Sequence, residues 1–168
     1  MTVRVAADDD WPAILDVHRR AFGGDDVPRL AAQLRANDVH VPQLSFIALS
    51  AEETVVGHVM NTWSGIEGSA VRLLQLSPLG VLPEHQRKGF GAALVRESLD
   101  GARRLGEQLL LVEGNPAYYG RFGFVRADKL GLLPPPEALY DWAFQVAVLD
   151  DAVELPQGRV VYAEPFRH

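Results

Sequence analysis

The feature that most constrains the fold of this 168-residue chain is a strand, a glycine loop and a helix in direct succession between Leu73 and Leu105. An apolar, strand-like run ends near Val81, and the string Gln86-Arg87-Lys88-Gly89-Phe90-Gly91 leads into a helical pattern. A second, almost wholly apolar run, Gln108–Val112, follows that helix. Two apolar strands joined by a helix predict a βαβ crossover, with parallel strands and a right-handed connection.

The glycine loop in this crossover is a candidate anion-binding site. The first N–H groups of a helix have no intrahelical partner, so a loop at a helix start presents free donors and a positive dipole end. Gly89 and Gly91 remove the Cβ atoms that would keep a phosphate at a distance, and Arg87 and Lys88 add positive charge. The spacing matches neither the dinucleotide fingerprint nor a P-loop. A tight βα connection, with glycines that serve only close packing, is the alternative interpretation.

The rest of the chain alternates further helix and strand patterns around this crossover. Ser77-Pro78 interrupts the strand that leads to the loop, and a proline inside a strand predicts a bulge or an edge. Helices are predicted from Asp8-Asp9-Asp10 to Gly23, from Asp26 to Asn37, and from Pro116 to Phe122. Further strands are predicted at Thr2–Ala6, Ser45–Ser50, Thr54–Ser64, Ala143–Leu149 and Arg159–Tyr162.

The composition argues against a nucleic-acid-binding, disulfide-rich, metal-binding or membrane-spanning protein. A net charge of −6 argues against a nucleic-acid-binding surface, which needs clustered cations. The chain has no cysteine, so it has neither a disulfide framework nor a thiolate metal site, and its histidines are too scattered to suggest a metal centre. No apolar run reaches the length of a membrane span. The N-terminal residues have the pattern of a strand and not that of a signal peptide. We expect one domain spanning residues 1–168, without a membrane or nucleic-acid partner, in the cytoplasm.

Two sequence blocks, taken together, resemble a known family. Val81-x-Pro83-x-x-Gln86-Arg87-x-Gly89-x-Gly91 resembles the acyl-CoA pyrophosphate loop of the GNAT superfamily of N-acetyltransferases. Tyr119-Gly120-Arg121-Phe122-Gly123-Phe124 is similar to the Tyr-x-x-x-Gly-Phe segment that closes the acyl-CoA site in these enzymes. The resemblance implies an α/β fold with a mixed, mostly antiparallel sheet, a central splayed pair of parallel strands, and flanking helices.

The resemblance also implies acetyl-CoA as co-substrate and a set of residues that bind it. The pantetheine arm would pair like an added strand with the backbone of Leu79-Gly80-Val81, and Asn115 would contact the cofactor. The pyrophosphate would be held at the loop formed by Gln86, Arg87, Lys88, Gly89, Phe90 and Gly91. Asn115 lies closer to the tyrosine than in the common family pattern. The acceptor would be a primary amine of a small molecule or a protein, and the enzyme a monomer or homodimer.

The implied chemistry is direct attack of the amine on the thioester in a ternary complex. Tyr119 is the expected general acid for the departing thiolate, and the backbone N–H near Leu79 the expected oxyanion donor. Many family members carry an acidic base on the strand before the loop, but this strand carries Gln75. Glu113, Glu67 and His58 are therefore the candidate bases, of which His58 also fits a buried core histidine. We expect Tyr118, beside Tyr119, to be structural.

Two other functions are compatible with the sequence. The missing carboxylate on the glycine-loop strand is compatible with a catalytically weak acyl-CoA-binding or regulatory module, although Tyr119 argues for an enzyme. An unrelated α/β domain that binds another phosphate ligand is the third alternative, and it requires the second block to be accidental.

Overall fold

The computed structural model describes residues 1–167, and its organising element is a twisted sheet with helices on both faces. The helices are α1 (Trp11–Phe22), α2 (Asp26–Arg35), α3 (Phe90–Arg104) and α4 (Pro116–Tyr119). The strands are β1 (Thr2–Val5), β2 (Phe46–Leu49), β3 (Val55–Ile66), β4 (Arg72–Val81), β5 (Leu109–Glu113), β6 (Val125–Arg126), β7 (Leu132–Leu133), β8 (Phe144–Val148) and β9 (Gly158–Val161).

The main sheet has the strand order β1-β2-β3-β4-β5-β8-β6 and is antiparallel except at its centre, where β4 and β5 run parallel. The short β9 pairs with the end of β3 and runs parallel to β7. The predicted βαβ crossover is thus confirmed, as is the mixed, mostly antiparallel sheet. The two-residue strands β6 and β7 were not predicted, because two residues are too few to display a period.

The β4 strand carries the predicted bulge. Val59 lies opposite Leu79 and Asn61 opposite Leu76, so Ser77 and Pro78 together face one residue of β3. The Ser77–Pro78 peptide bond is cis. An unpaired residue in one strand bends that strand away from its neighbour.

Alternation of side chains along the strands divides the core between the two faces of the sheet. On one face, α3 packs Leu94 and Leu99 against residues such as Leu74 and Leu110. The opposite face is covered in two parts. The helices α1 and α2 cover β2 and β3 through Ile14, Leu34 and Met60, whereas the segment around β9 covers β5 and β8 through Val160 and Tyr162. The junction between these two parts is next to the bulge in β4, which leaves room for a site there.

Candidate active site

The loop before α3 forms a row of free backbone donors. Gly89 has φ +91° and caps the helix in the left-handed region, which favours glycine, and Arg87 also has a positive φ of 61°. Within residues 1–167, the N–H groups of Arg87 through Ala92 have no hydrogen-bond acceptor. The first backbone bond of the helix is donated by Ala93 to the carbonyl of Gly89, at 3.0 Å. Six successive free N–H groups at a helix start have the geometry that can hold a phosphate group.

A cleft of about 750 Å³, which we call the cofactor cleft, opens beside this loop. Loop residues form one wall, and α4 with Arg121 forms the other. The lining residues are Val81, Gln86, Arg87, Gly89, Gly91, Ala92, Ala117, Tyr118 and Arg121. Neither arginine is ion-paired among the described residues. The cleft is therefore positively charged although the chain has a net charge of −6.

Tyr118 lines the cofactor cleft, whereas Tyr119 lines the second cavity described below. Its hydroxyl lies over Gly91, where a Cβ atom would come within 2.7 Å of it. The Arg121 guanidinium stacks 4.8 Å from the ring centroid of Tyr118 and donates to the carbonyl of Tyr118 at 3.3 Å. The sequence signal for this arrangement is the spacing of Tyr118 and Arg121, which places the two on one side of a helical turn.

The parallel strands β4 and β5 separate beyond their first residues. Their pairing is limited to Leu74 with Leu110 and Gln75 with Leu111, which confirms the predicted splay. The N–H of Leu82 donates to the carbonyl of Val56 in β3, so by alternation Leu79 and Val81 direct their polar groups to the open side. The carbonyl of Val81 accepts a hydrogen bond from Gln86 Nε2 at 3.0 Å. The edge of β4 at Leu79 and Val81 is open to an amide-bearing ligand.

A second cavity of about 250 Å³, which we call the reaction cavity, lies at the splay. The bulge residues of β4, the end of β5 and the ring of Tyr119 enclose it, and α1 and α2 contribute an apolar wall. Its lining comprises Phe22, Val27, Leu30, Leu76, Ser77, Pro78, Leu79, Glu113, Gly114 and Tyr119. Burial, with a smaller effect of the neighbouring Tyr118, raises the pKa of Tyr119 above its ordinary value of 10. Tyr119 is thus protonated throughout the neutral range and can donate a proton.

Glu113 is held in place by two donors. The hydroxyl of Tyr162 donates to one carboxylate oxygen at 2.7 Å, and the N–H of Leu139 donates to the other at 3.3 Å. Burial, together with this hydrogen bond, raises the pKa of Tyr162. Tyr162 therefore remains a donor, and it fixes the rotamer of a carboxylate that lines the reaction cavity.

A third cavity, also about 250 Å³, adjoins the reaction cavity and is called the distal cavity here. It shares Leu30, Ser77 and Glu113 with the reaction cavity. Its other lining residues are Gln75, Glu137, Tyr162 and Phe166. Sequence reasoning missed Glu137 and Tyr162 here, because both come from the C-terminal part of the chain, far from any motif.

Three other sequence candidates have side chains outside the lining of these three cavities. Asn115 caps α4 through its side-chain oxygen, which accepts from the N–H of Ala117 at 2.9 Å. Glu67 is exposed in the turn after β3, outside the lining of both the reaction and distal cavities. The Phe90 side chain is buried under α3, so only its backbone N–H faces the loop.

His58, the remaining candidate base, is completely buried in a hydrogen-bonded chain of polar side chains. Its Nδ1 lies 2.8 Å from His18 Nε2, and its Nε2 lies 2.9 Å from Ser45 Oγ. The other nitrogen of His18, Nδ1, packs against Gly80 of β4 and has no partner among the described residues. Burial lowers the pKa of His18 to about 4, and burial and the adjacent His18 and His40 lower the pKa of His58. Both rings are neutral at pH 7, which fits a core histidine.

Comparison with known proteins assigns the family. The profile described as "Acetyltransferase (GNAT) domain" matches residues 2–127. The chain belongs to the GNAT acetyltransferases. The resemblance found in its two sequence blocks is thereby confirmed, and the enzyme is favoured over the non-catalytic module.

Individual relatives are similar to almost the whole GNAT chain. The chain is 32% identical to the N-acetyltransferase YhbS of Escherichia coli K12, and the alignment covers 99% of this chain and 98% of that protein. A crystal structure of E. coli YhbS in complex with CoA has a TM-score of 0.90 at 30% identity, covering 99% of this chain and 92% of that one. A GNAT acetyltransferase from Brucella melitensis, in complex with acetyl-CoA, has a TM-score of 0.80 at 26% identity, covering 98% and 97%.

Residues 1–167 contain no group of side chains suited to hold a metal ion. In the same range, no helix is both long and apolar enough to cross a bilayer.

Proposed function

We propose that this GNAT enzyme transfers the acetyl group of acetyl-CoA to a primary amine by direct attack in a ternary complex. The observation that supports this most is the position of two cavities of opposite character along the same stretch of β4, one lined by Val81 and the other by Leu79. The cofactor cleft is cationic and bordered by free N–H groups, whereas the reaction cavity holds a carboxylate and a half-buried tyrosine. An anionic donor and a cationic acceptor would thus approach the same point from different sides.

The residues present fit acetyl-CoA. The N–H groups from Arg87 to Gly91 would hold the pyrophosphate, with Arg87 and Lys88 neutralising charge, and Arg121 would hold further phosphate. The open backbone at Leu79 and Val81 would pair with the amides of the pantetheine arm. In that position the thioester would lie at the splay, next to Tyr119.

Glu113 would then act as the general base and Tyr119 as the general acid. Glu113 accepts a proton from the incoming ammonium, directly or through one water, because only the neutral amine is a nucleophile. The N–H of Leu79 stabilises the oxyanion that forms as the amine nitrogen bonds to the carbonyl carbon. Tyr119 donates its proton to the sulfur as the carbon–sulfur bond breaks, and the second proton of the attacking nitrogen passes through water to reprotonate the tyrosinate. The products are the amide and CoA.

The test of this assignment compares the two adjacent tyrosines. Tyr119→Phe removes only a hydroxyl, and we expect kcat to fall by on the order of 10²-fold while the KM for acetyl-CoA changes little. Tyr118→Phe is the matched control, and its effect should fall on the KM for acetyl-CoA because Tyr118 lines the cofactor cleft.

The measurement is release of the CoA thiol over a panel of primary amines, with mass spectrometry of the product. Equal effects of the two substitutions on kcat would contradict the acid role. Initial rates should give intersecting patterns for the two substrates, whereas parallel patterns would contradict direct attack. Absence of thiol release with every amine, despite acetyl-CoA binding, would favour the non-catalytic module.

A further inference from the structure

The distal cavity adjoins the reaction cavity, and the two share Leu30, Ser77 and the proposed base Glu113 as lining residues. An acceptor whose nitrogen lies at Glu113 therefore extends either towards solvent or into this second space. We propose, resting on the proposed function, that the acceptor is a compact diamine whose second cationic nitrogen binds in the distal cavity.

The first argument for a second cationic nitrogen is the negative charge of the two adjoining cavities. Glu137 lines the distal cavity, and no ion pair engages it within residues 1–167. No lysine, arginine or histidine is among the residues that line either cavity. Glu113 serves the reacting nitrogen, and Glu137, whose side chain is solvent-exposed, is a second carboxylate that is free to pair with a ligand in the distal cavity. A second cationic group on the ligand supplies its counter-ion.

Gln75 provides an independent indication that the distal cavity holds a polar ligand. Its side chain is only 3% exposed, and its Oε1 accepts a hydrogen bond from Ser64 Oγ at 2.8 Å. The Gln75 Nε2 has no acceptor among the described residues, although Gln75 lines the cavity. The Gln75 Nε2 is accessible from the cavity, so its two N–H groups are available to donate to a polar occupant.

The side of the reaction cavity formed by α1 and α2 is apolar, and it extends to the distal cavity through Leu30. Val27 and Leu30 from α2, with Phe22 from α1, line the reaction cavity, and Leu30 continues into the distal one. Such a wall suits a short methylene chain that separates two nitrogens. With each cavity at about 250 Å³, the space fits a molecule of a few carbons.

The test uses α,ω-diaminoalkanes of two to eight carbons, each paired with the n-alkylamine of equal length and the ω-amino acid of equal length. Thiol release gives kcat/KM for each acceptor, and calorimetry on the CoA-loaded enzyme gives binding without turnover. We expect an optimum at intermediate length. At that optimum, kcat/KM should be at least threefold higher for the diamine than for the alkylamine, and lowest for the amino acid.

Glu137→Gln should lower the diamine-to-alkylamine ratio of kcat/KM at least threefold, and weaken diamine binding in calorimetry by a similar factor. Glu154→Gln is the matched control, an exposed carboxylate near the opposite end of β5, and it should change neither value. An unchanged ratio in Glu137→Gln, or an alkylamine or a lysine-bearing peptide used as well as the diamine, overturns the proposal and leaves acetyl transfer intact. If no acceptor turns over, the proposed function fails, and calorimetry alone decides whether the diamine binds.

Discussion

Acidification should destabilise the fold through the buried histidine pair. His18 has a pKa of about 4 in the folded protein and about 6.5 when unfolded, because burial disfavours its charged form. Above pH 6.5 both states carry a neutral ring, and the contribution to stability is complete. As the pH falls through the window from 6.5 to about 4, the unfolded chain binds a proton that the folded protein excludes, so stability is lost.

The magnitude follows from this shift. At pH 5 the linkage relation gives a loss of about 2 kcal/mol from His18 alone. His58, whose pKa is also lowered by burial, adds a loss in the same direction. With a urea m-value of about 2 kcal/mol/M, the loss from His18 moves the unfolding midpoint down by about 1 M between pH 7.5 and pH 5.

The assay is urea unfolding followed by circular dichroism at half-unit steps between pH 7.5 and 5. His18→Gln places an amide where Nε2 faces His58, and it should flatten the pH dependence by about 2 kcal/mol relative to wild type. Ser45→Ala is the control, because it removes a hydrogen-bond partner but no titrating ring, and it should keep most of the slope. Exposed carboxylates titrate equally in wild type and in His18→Gln, so their effect on stability cancels when the two pH profiles are subtracted. Equal slopes for wild type and His18→Gln would refute the reasoning.

Two further substitutions test the cofactor loop and the candidate base. Gly89→Glu should abolish acetyl-CoA binding in calorimetry, since it places bulk and negative charge beside the free N–H groups. Gly68→Glu, at a similar positive φ in the turn after β3, is its control, and equal loss in both would contradict the loop assignment. Tyr162→Phe should lower kcat about tenfold by releasing one oxygen of Glu113, with acetyl-CoA affinity unchanged; an unaltered kcat would argue against Glu113 as base.

The local chemistry of the cofactor loop could be predicted from the sequence, because it depends on neighbouring residues. Glycines at a helix start, a proline inside a strand and an apolar run after the helix each have a local physical meaning. The free N–H groups, the bulge at Ser77-Pro78 and the central parallel pair were therefore predicted and found.

The acceptor side was decided only by tertiary structure. Glu113 could be proposed from the sequence because it ends the strand that faces the splay, but nothing local shows which side chains hold it. Its position beside Tyr162 joins residues 49 positions apart, and Glu137 reaches the same cavity from a proline-rich connection. Likewise, alternation predicted that His58 is buried, but only the packing of α1 on the sheet brings His18 within 2.8 Å of it. Local pattern fixes backbone geometry over a few residues, whereas a cavity and its charge arise from side chains that meet only after the chain has folded.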